Sequence, residues 1–591
     1  MSSQPSLNQI NALLESLAAK PRVEPLSEEA FLHLLVFVDQ LSTSGNWTQA
    51  WKAFNIASDD AHKSHNPNRL AEVKMHLGIL HHRQGDLHLA LKAWTEALET
   101  FAGIGQTEAI ANCHVNLGAT YKSLGELNNA RDHLTEALDI YQSINFLQGL
   151  AAATTNLGLV YRDSGLIEDA VGCFQTALEL DRKLEDKRGE AGSLSNLGIL
   201  ALPRGEVAQS FAFQQQALSL YEKAGDRFGT ANVHGNLGIN YQTVGDFEKA
   251  EAHFLKAIEI DRELGSRAGE AADLVNLGVL YRDLGELSRA RRCLEEAYEL
   301  HSGDGRVDGA VIALGNLAVV HRSIGDHSKA LRCLLQALEM TQSTGFRRHE
   351  AHIWGNLGLI YQERGQLEDA KTAHQRSLEL KRAVGDRLGE STSLGNLGTI
   401  ARIQKHFDEA AEFHKQALEL THGIGNKEGE AQDLANFGLV FRDRGDLPAA
   451  VVHFRNALSI ANEIHQPEIT WRIQTGLSGV YRLMGDIDNA ISNLESAVDG
   501  IENIRGRLFE DDEKLIFAGV DKLGVYTQLI LFLHEAGNKG KEFEYIERAR
   551  SRLMLDQLAR LSVPEARSDE PVTYTDVSKF LLRSEYDERI S

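Results

Sequence analysis

The sequence predicts an all-α protein built as a solenoid of repeated helix pairs. Three observations predict this class: the 591-residue chain has only 9 prolines, it is rich in helix-forming residues, and its pattern returns every forty residues from residue 31 onward. Twelve copies follow one another in register up to residue 510. Such a period is typical of helical repeats, in which neighbouring copies share one continuous core.

Within a copy, positions are numbered as places 1 to 40, with place 1 at residue 31 and its equivalents. Copy 6 shows the pattern, with Leu237, Gly238 and Tyr241 at places 7, 8 and 11 and Gly245 at place 15. Places 4, 7, 8 and 11 share a helix face, so the first helix is expected to bury this stripe. Glycine at place 8 lets the two helices approach closely, and glycine at place 15 ends the first helix.

The order Leu-Gly-x-x-Tyr, then Gly, Ala and Ala, resembles the tetratricopeptide repeat over about four fifths of the chain. The resemblance implies a right-handed α-solenoid superhelix with a concave groove. That family's usual repeat has about 34 residues, so the extra residues here are expected to lengthen both the helices and the link between copies. The longer form is similar to the repeats of kinesin light chains and of spindle-orientation adaptors, which are peptide-binding scaffolds.

Asparagine at place 6 is the main functional signal. Asparagine disfavours helix interiors, so its recurrence indicates another selection. A carboxamide both donates and accepts hydrogen bonds, which suits gripping the main chain of a bound protein segment. The alternative is that each asparagine bonds to the adjacent copy and spaces the helices. The nine residues, called the Asn ladder, are Asn116, Asn156, Asn196, Asn236, Asn276, Asn316, Asn356, Asn396 and Asn436.

Arginine recurs at place 12, close to the expected groove. It predicts a basic rail for an acidic peptide, and the alternative is a solvated helix end with ion pairs of little energetic value. The predicted binding residues from this row are Arg162, Arg282, Arg322 and Arg442, and Arg402 and Arg482 occupy the same place.

The bulk composition excludes several classes of function. A net charge of −23 disfavours a nucleic-acid partner, although a local basic strip would be compatible with it. No apolar run reaches the ~18 residues of a membrane span, and the N-terminus lacks the features of a signal peptide, so a cytoplasmic protein is expected. Three cysteines recur at one place of the repeat and are interpreted as small buried residues: Cys173, Cys293 and Cys333.

Motifs of enzymes and metal sites are missing. The sequence has no G-x-x-x-x-G-K-[ST], G-x-S-x-G or H-E-x-x-H motif. Glycine-rich strings such as 303–309 follow helices and are the turns between copies. His374 and His414 stand where other copies have a bulky core residue. We therefore expect no catalytic residue, no metal and no cofactor in this chain.

Four segments are predicted along the chain. They are residues 1–30, an amphipathic cap and linker; 31–510, the twelve repeats; 511–563, a C-terminal helical segment; and 564–591, a linker with the start of a further domain. The helical segment resembles the junction that precedes the protease in CHAT proteins, which are caspase-like modules associated with tetratricopeptide repeats. The pieces that carry this resemblance are 502–505, 526–533, 547–553 and 555–558.

The leading hypothesis is a cytoplasmic, bacterial scaffold that binds a protein or peptide in its groove and regulates a caspase-like module. A second hypothesis is the regulatory part of a CHAT cysteine peptidase whose catalytic histidine and cysteine lie beyond residue 591. A third is a stand-alone assembly adaptor. None of the three involves a membrane.

Overall fold

A computed structural model describes residues 15, 25–43, 45–344, 346–506 and 520–560. All regular secondary structure in these residues is helical, which confirms the all-α solenoid. The chain divides into two compact units, Met1–Arg507 and Leu508–Ser591. The predicted N-terminal amphipathic segment, apart from residue 15, and the predicted linker at 564–591 lie outside the described residues. No described helix is both long and apolar enough to cross a membrane.

The first unit consists of helix pairs, one pair for each predicted copy. In chain order the described helices are α1 Glu28–Thr43, α2 Trp47–Ser64, α3 Pro67–Gln84, α4 Leu87–Ile104, α5 Thr107–Leu124, α6 Leu127–Ser143, α7 Leu147–Asp163, α8 Ile167–Lys183, α9 Lys187–Ala201, α10 Val207–Ala224, α11 Arg227–Thr243, α12 Phe247–Leu264, α13 Arg267–Asp283, α14 Leu287–Gly303, α15 Val307–Ser323, α16 His327–Thr344, α17 Arg347–Glu363, α18 Leu367–Ala383, α19 Arg387–Ile403, α20 Phe407–Gly423, α21 Lys427–Arg444, α22 Leu447–Glu463, α23 Pro467–Leu483 and α24 Ile487–Gly506.

The extra residues of each copy lengthen the helices, as expected, but not the link between copies. The links between copies are two or three residues long, like the turns inside the pairs. The expectation of a longer link was therefore wrong. One turn is longer, residues 202–206 after α9, where Pro203 cannot continue the helix.

Glycine at place 15 ends the first helix as predicted. Gly245 has a φ of +78°, a left-handed conformation that glycine adopts without strain. Its N–H donates to the carbonyl of Gln242 at 3.1 Å, and the N–H of Asp246 donates to that of Tyr241 at 2.9 Å. These two bonds satisfy carbonyls at the end of α11 and aim the chain into α12.

Glycine at place 8 fits the side chain at place 24 of the second helix. A Cβ on Gly238 would lie 2.5 Å from the Phe254 ring, and one on Gly158 would lie 2.8 Å from Phe174. Both phenylalanine rings are fully buried. The absence of a side chain at place 8 therefore lets the ring lie directly on the first helix, as the sequence predicted.

The curvature of the first unit follows from which helices touch. First helices of successive copies pack against each other, for example α11 against α13 and α13 against α15. No pair of successive second helices in the described residues packs to a comparable extent. The first helices therefore form the inner, concave side, and the second helices form the outer side.

Distant copies of the first unit also touch each other. Phe346, in the turn before α17, is 4% exposed and packs against Leu87 and Leu124. Arg348 donates a hydrogen bond to the main-chain oxygen of Asp163, 185 residues away, and its guanidinium lies 3.3 Å from the Asp163 carboxylate. We call these five residues the clasp. Because the clasp joins copies separated by several others, successive turns of the superhelix are in contact there.

The second unit contains two described helices, α25 Val520–Glu535 and α26 Lys539–Arg560, which pack against each other. Tyr526, Leu529 and Leu533 of α25 are buried. The predicted pieces 526–533 and 547–553 lie on these two helices.

Candidate functional site: the groove of the first helices

The Asn ladder lies on the inner helices, and every member is partly exposed. Helix α11 illustrates the arrangement, because Asn232, Ile239 and Thr243 at places 2, 9 and 13 are exposed together with the partly exposed Asn236. Leu237 on the other face is 2% exposed. The ladder therefore lines the concave side, on the face that the helical period predicted.

Two members of the ladder contact the preceding copy. The Nδ2 group of Asn236 donates to the Ser195 hydroxyl at 3.0 Å, and that of Asn116 lies 3.5 Å from the Met75 sulfur. These two contacts agree with the alternative that the ladder spaces the helices. In both, the amide nitrogen is engaged, and no described group donates to the carboxamide oxygen.

The other members do not bridge to the preceding copy. Asn156 and Asn316 donate to carbonyls of their own helices, at 3.0 and 3.1 Å. The Asn276 carboxamide lies beside the Asp273 carboxyl of the same helix. The side chains of the remaining four form no hydrogen bond with any described residue, and these are Asn196, Asn356, Asn396 and Asn436. Spacing of the helices therefore explains only a minority of the ladder.

An aliphatic row runs beside the ladder at place 9, and its role was not recognised in the sequence. Its residues are one turn further along each first helix and are at least partly exposed. The recurrence of aliphatic residues at place 9 is the signal in the sequence that could have identified this row. The groove therefore presents an uncharged amide row next to an apolar row that includes Ile199, Ile239, Val279, Val319 and Leu359.

Five of the six arginines at place 12 pair with carboxylates at place 13, and Arg402 and Arg442 share the carboxylate of Asp443. Three of the pairs belong to a single copy, and two join neighbouring copies, among them the closest pair, Arg402–Asp443 at 2.5 Å. This agrees with the alternative of ion-paired helix ends, and such partly exposed pairs contribute little to stability. The other pairs are Arg162–Asp163 at 2.9 Å, Arg282–Asp283 at 2.7 Å, Arg442–Asp443 at 2.7 Å and Arg322–Glu363 at 3.7 Å.

A concavity of about 340 Å³ opens beside the ladder at the junction of copies 4 and 5. It is lined by Asn156 and Asn196 together with Asp181 and Ser193. The Asp181 carboxylate is buried and accepts a hydrogen bond from the Ser193 hydroxyl at 2.8 Å. Burial raises the pKa of this carboxyl. The ladder at this junction therefore adjoins a polar hollow with a buried acid.

A larger concavity of about 580 Å³ is lined by residues of α20, α21 and α22. Glu430 at its centre is already paired with Lys427 at 3.2 Å and His422 at 3.3 Å. No ladder residue lines it. Its lining includes one exposed carboxamide, that of Asn456, but not the row of recurring amides that the ladder forms.

The described residues contain no group of three or more metal-ligating side chains suited to hold a metal ion. The four cysteines are free thiols. Burial raises the pKa of Cys113 to about 12 and that of Cys173 to about 11. These two therefore remain protonated and unreactive near neutral pH.

The tetratricopeptide repeat model matches residues 69–143, 149–223, 189–263, 269–343 and 349–421, which together cover more than half of the chain. The chain belongs to the tetratricopeptide repeat family. The matched segments contain eight members of the ladder, from Asn116 to Asn396. No curated protein matches the chain.

Several solved structures share a partial likeness with this tetratricopeptide repeat protein. BtubC (BKLC) from P. vanneervenii is 23% identical, with 39% of this chain and 93% of that chain covered and a TM-score of 0.33. The apo form of RapI is 14% identical, with 47% and 99% covered and a TM-score of 0.39. A Rap protein complexed with competence and sporulation factor is 16% identical, with 60% and 98% covered and a TM-score of 0.43. These scores are too low to carry an argument about function.

Proposed function

We propose that the protein is a scaffold that holds a segment of a partner protein in the groove of its first helices. The Asn ladder bonds to the main chain of that segment, and the aliphatic row contacts its apolar side chains. The observation that carries this proposal is the partly exposed carboxamide at place 6 of nine consecutive inner helices. Four of these carboxamides have no hydrogen-bond partner among the described residues.

The chemistry of the groove supports recognition of the main chain. Carboxamides match both the N–H and the C=O groups of a peptide backbone. Five of the six arginines at place 12 are paired with carboxylates at place 13, which reduces the net positive charge that they offer to an acidic segment. Nine equivalent amides on a concave surface therefore favour an elongated ligand that follows the groove.

A binding experiment tests the ladder. Short random peptides are selected by display on the whole chain, and their affinities are measured for the triple variant Asn236→Ala, Asn276→Ala, Asn316→Ala. We expect binding to weaken by a factor of about 30 to 1000, because each lost hydrogen bond contributes about 1 kcal/mol. Circular dichroism checks that the variant is folded.

The control for this experiment replaces exposed asparagines of the second helices, Asn128, Asn129 and Asn462, by alanine. Their loss removes the same chemistry from outside the groove, so peptide affinity should not change. An unchanged affinity in a folded ladder variant would contradict the proposal.

We further propose that the second unit links the groove to a caspase-like module. The proposal is supported by the resemblance of 526–533 and 547–553 to a CHAT junction and by their position on two packed helices. The intact mass of the endogenous protein tests it. A mass well above 65.3 kDa, with a caspase-like sequence in the added part, is expected for the regulatory arm of a peptidase. A mass of 65.3 kDa with no caspase-like protein co-purifying would instead favour a stand-alone adaptor.

A further inference from the structure

Two buried carboxyl groups lie near each other at the junction of copies 6 and 7. Asp261 of α12 is 2% exposed and Asp273 of α13 is 7% exposed. Neither forms an ion pair with a described residue. One oxygen of Asp261, Oδ1, is buried without any hydrogen-bond partner. The pair is therefore an uncompensated acidic site inside the solenoid.

Such a pair is costly, because buried carboxylates without a cation lose their hydration. The chain does supply a cation elsewhere: at the first junction, buried Asp60 is paired with buried Arg69 at 2.7 Å. At copies 6 and 7, burial and the nearby Asp261 raise the pKa of Asp273 to about 7. Burial also raises the pKa of Asp261, and Glu270 adds to that effect. Asp273 is therefore partly protonated near neutral pH.

The acidic pair adjoins the Asn ladder. The Asn276 carboxamide lies beside the Asp273 carboxyl. On the preceding first helix, a Cβ on Gly235 would come within 2.7 Å of the Asp273 Oδ1 atom. Glycine at this position therefore lets the Asp273 carboxyl pack directly against the first helix of copy 6, beside Asn236. The carboxyl lies between two successive members of the ladder.

Equivalent junctions repeat parts of this arrangement. In copy 11, Asp433 is buried, its pKa is raised to about 7 by burial, and a Cβ on Gly395 would lie 3.5 Å from its Oδ1 atom. In copies 4 and 5, the residues equivalent to the acidic pair are Asp181 and Ser193, and they line the hollow of about 340 Å³ beside the ladder. At that junction the equivalent residues therefore border the groove beside Asn156 and Asn196.

We propose that Asp261 and Asp273 form an acidic subsite of the groove that takes the ammonium or guanidinium group of one lysine or arginine of the bound segment. The proposal rests on the proposed function, since the segment must first lie along the ladder. The cation replaces the proton that Asp273 partly retains, so binding releases protons to solvent. The ladder then holds the main chain, whereas the subsite selects one cationic side chain.

Peptides selected by display on the whole chain also test this proposal. In the tightest binder, each lysine and arginine is replaced in turn by glutamine, and affinities are measured for the wild type and for Asp273→Asn. We expect one replacement to weaken binding to the wild type by about tenfold or more. The Asp273→Asn variant should bind the original peptide more weakly than the wild type by the same factor. Its affinity should not fall further when the peptide carries the glutamine replacement. Calorimetry in buffers of different ionisation enthalpy should show proton release with the wild type alone.

The matched control is Glu259→Gln, which removes one negative charge from the exposed side of α12, the helix that carries Asp261; there Glu259 pairs with Lys256 at 2.6 Å. It should bind the peptide like the wild type. Asp273→Asn is expected to fold at least as stably as the wild type, because a neutral amide replaces an uncompensated acid; a loss of structure would overturn the proposal in favour of a purely structural acid.

The possible failures are distinguishable. Selected peptides that bind through the ladder but contain no lysine or arginine would overturn the acidic subsite and leave the scaffold proposal intact. The acidic subsite would also be overturned if the lysines and arginines of the selected peptides contributed equally to the affinity for the wild type and for Asp273→Asn. If no peptide is selected at all, the groove proposal fails and the subsite fails with it.

Discussion

His374 and His414 occupy the core position at which other copies bury a phenylalanine, such as Phe254. Both histidines are at most 1% exposed, and neither ring nitrogen of either side chain has a hydrogen-bond partner. Burial lowers the pKa of each to about 4. The sequence identified their place in the core, but only the packing shows that they are held neutral.

The double variant His374→Phe, His414→Phe should reduce the acid sensitivity of the protein. A pKa of about 4 in the fold and 6.5 when unfolded means that stability is lost as pH falls between these values. We expect each histidine to lower the free energy of unfolding by ~2 kcal/mol between about pH 7.5 and about pH 5. Urea unfolding at both pH values measures this.

A surface substitution, His422→Gln, serves as the control for the histidine prediction. Its stability should fall between the two pH values by the same amount as that of the wild type. An equal fall in stability for the wild type and the double phenylalanine variant would contradict the account of these buried histidines.

Buried acids such as Asp273 were not predicted from the sequence. The repeat pattern emphasises residues that recur, whereas place 3 holds aspartate in two copies, histidine in the first copy and small or aliphatic residues in the others. Whether an acid at that place is buried depends on the helices of the neighbouring copy. That information lies in the packing and not in the period.

At the scale of helices, most of the architecture followed from the period. The stripe at places 7, 8 and 11 correctly predicted the buried face of the first helix, and glycine at place 15 correctly predicted where that helix ends. The link between copies was not predicted correctly, because the residues that extend a helix by a turn are equally compatible with a longer loop. Only the observed bounds, such as Ser143 to Leu147, show that the helices use those residues.

Replacement by alanine should have opposite effects on stability at two glycines within helices. Gly238→Ala places a Cβ against the Phe254 ring and should destabilise the fold by ~1–3 kcal/mol through overpacking. Gly172 in α8 has no atom within 4 Å of an added Cβ, so Gly172→Ala should stabilise by about 0.5–1 kcal/mol through helix propensity. Urea unfolding compares the two. Equal effects would contradict the packing role of place 8.

At the scale of the whole first unit, the clasp was not foreseeable. It joins Asp163 to Arg348 across 185 residues, and that meeting depends on small rotations added up over several junctions. One local signal exists: Phe346 stands at place 36, where Asp226 and Ser266 cap first helices with their side chains. Phe146 stands at the same place but packs on Tyr141 of its own copy, so an apolar residue there does not by itself predict a distant contact.

Removal of the clasp should open the superhelix. The double variant Phe346→Ala, Arg348→Ala loses a buried ring and an ion pair, at a cost of about 3–5 kcal/mol for the ring. We expect small-angle scattering to show a larger radius of gyration with unchanged helical content. Arg188→Ala, at the place equivalent to Arg348 but outside the clasp, is the control. An unchanged radius in the double variant would contradict a role of the clasp in holding the turns together.

The central claim is that the concave face of this tetratricopeptide repeat protein binds a protein segment through the Asn ladder. A crystal structure of the whole chain with a display-selected peptide tests it most directly. The account predicts a peptide along the first helices, with its backbone hydrogen-bonded to Asn196, Asn236, Asn276 and their neighbours. A peptide bound to the second helices, or one in the groove that makes no bond to the ladder, would contradict it.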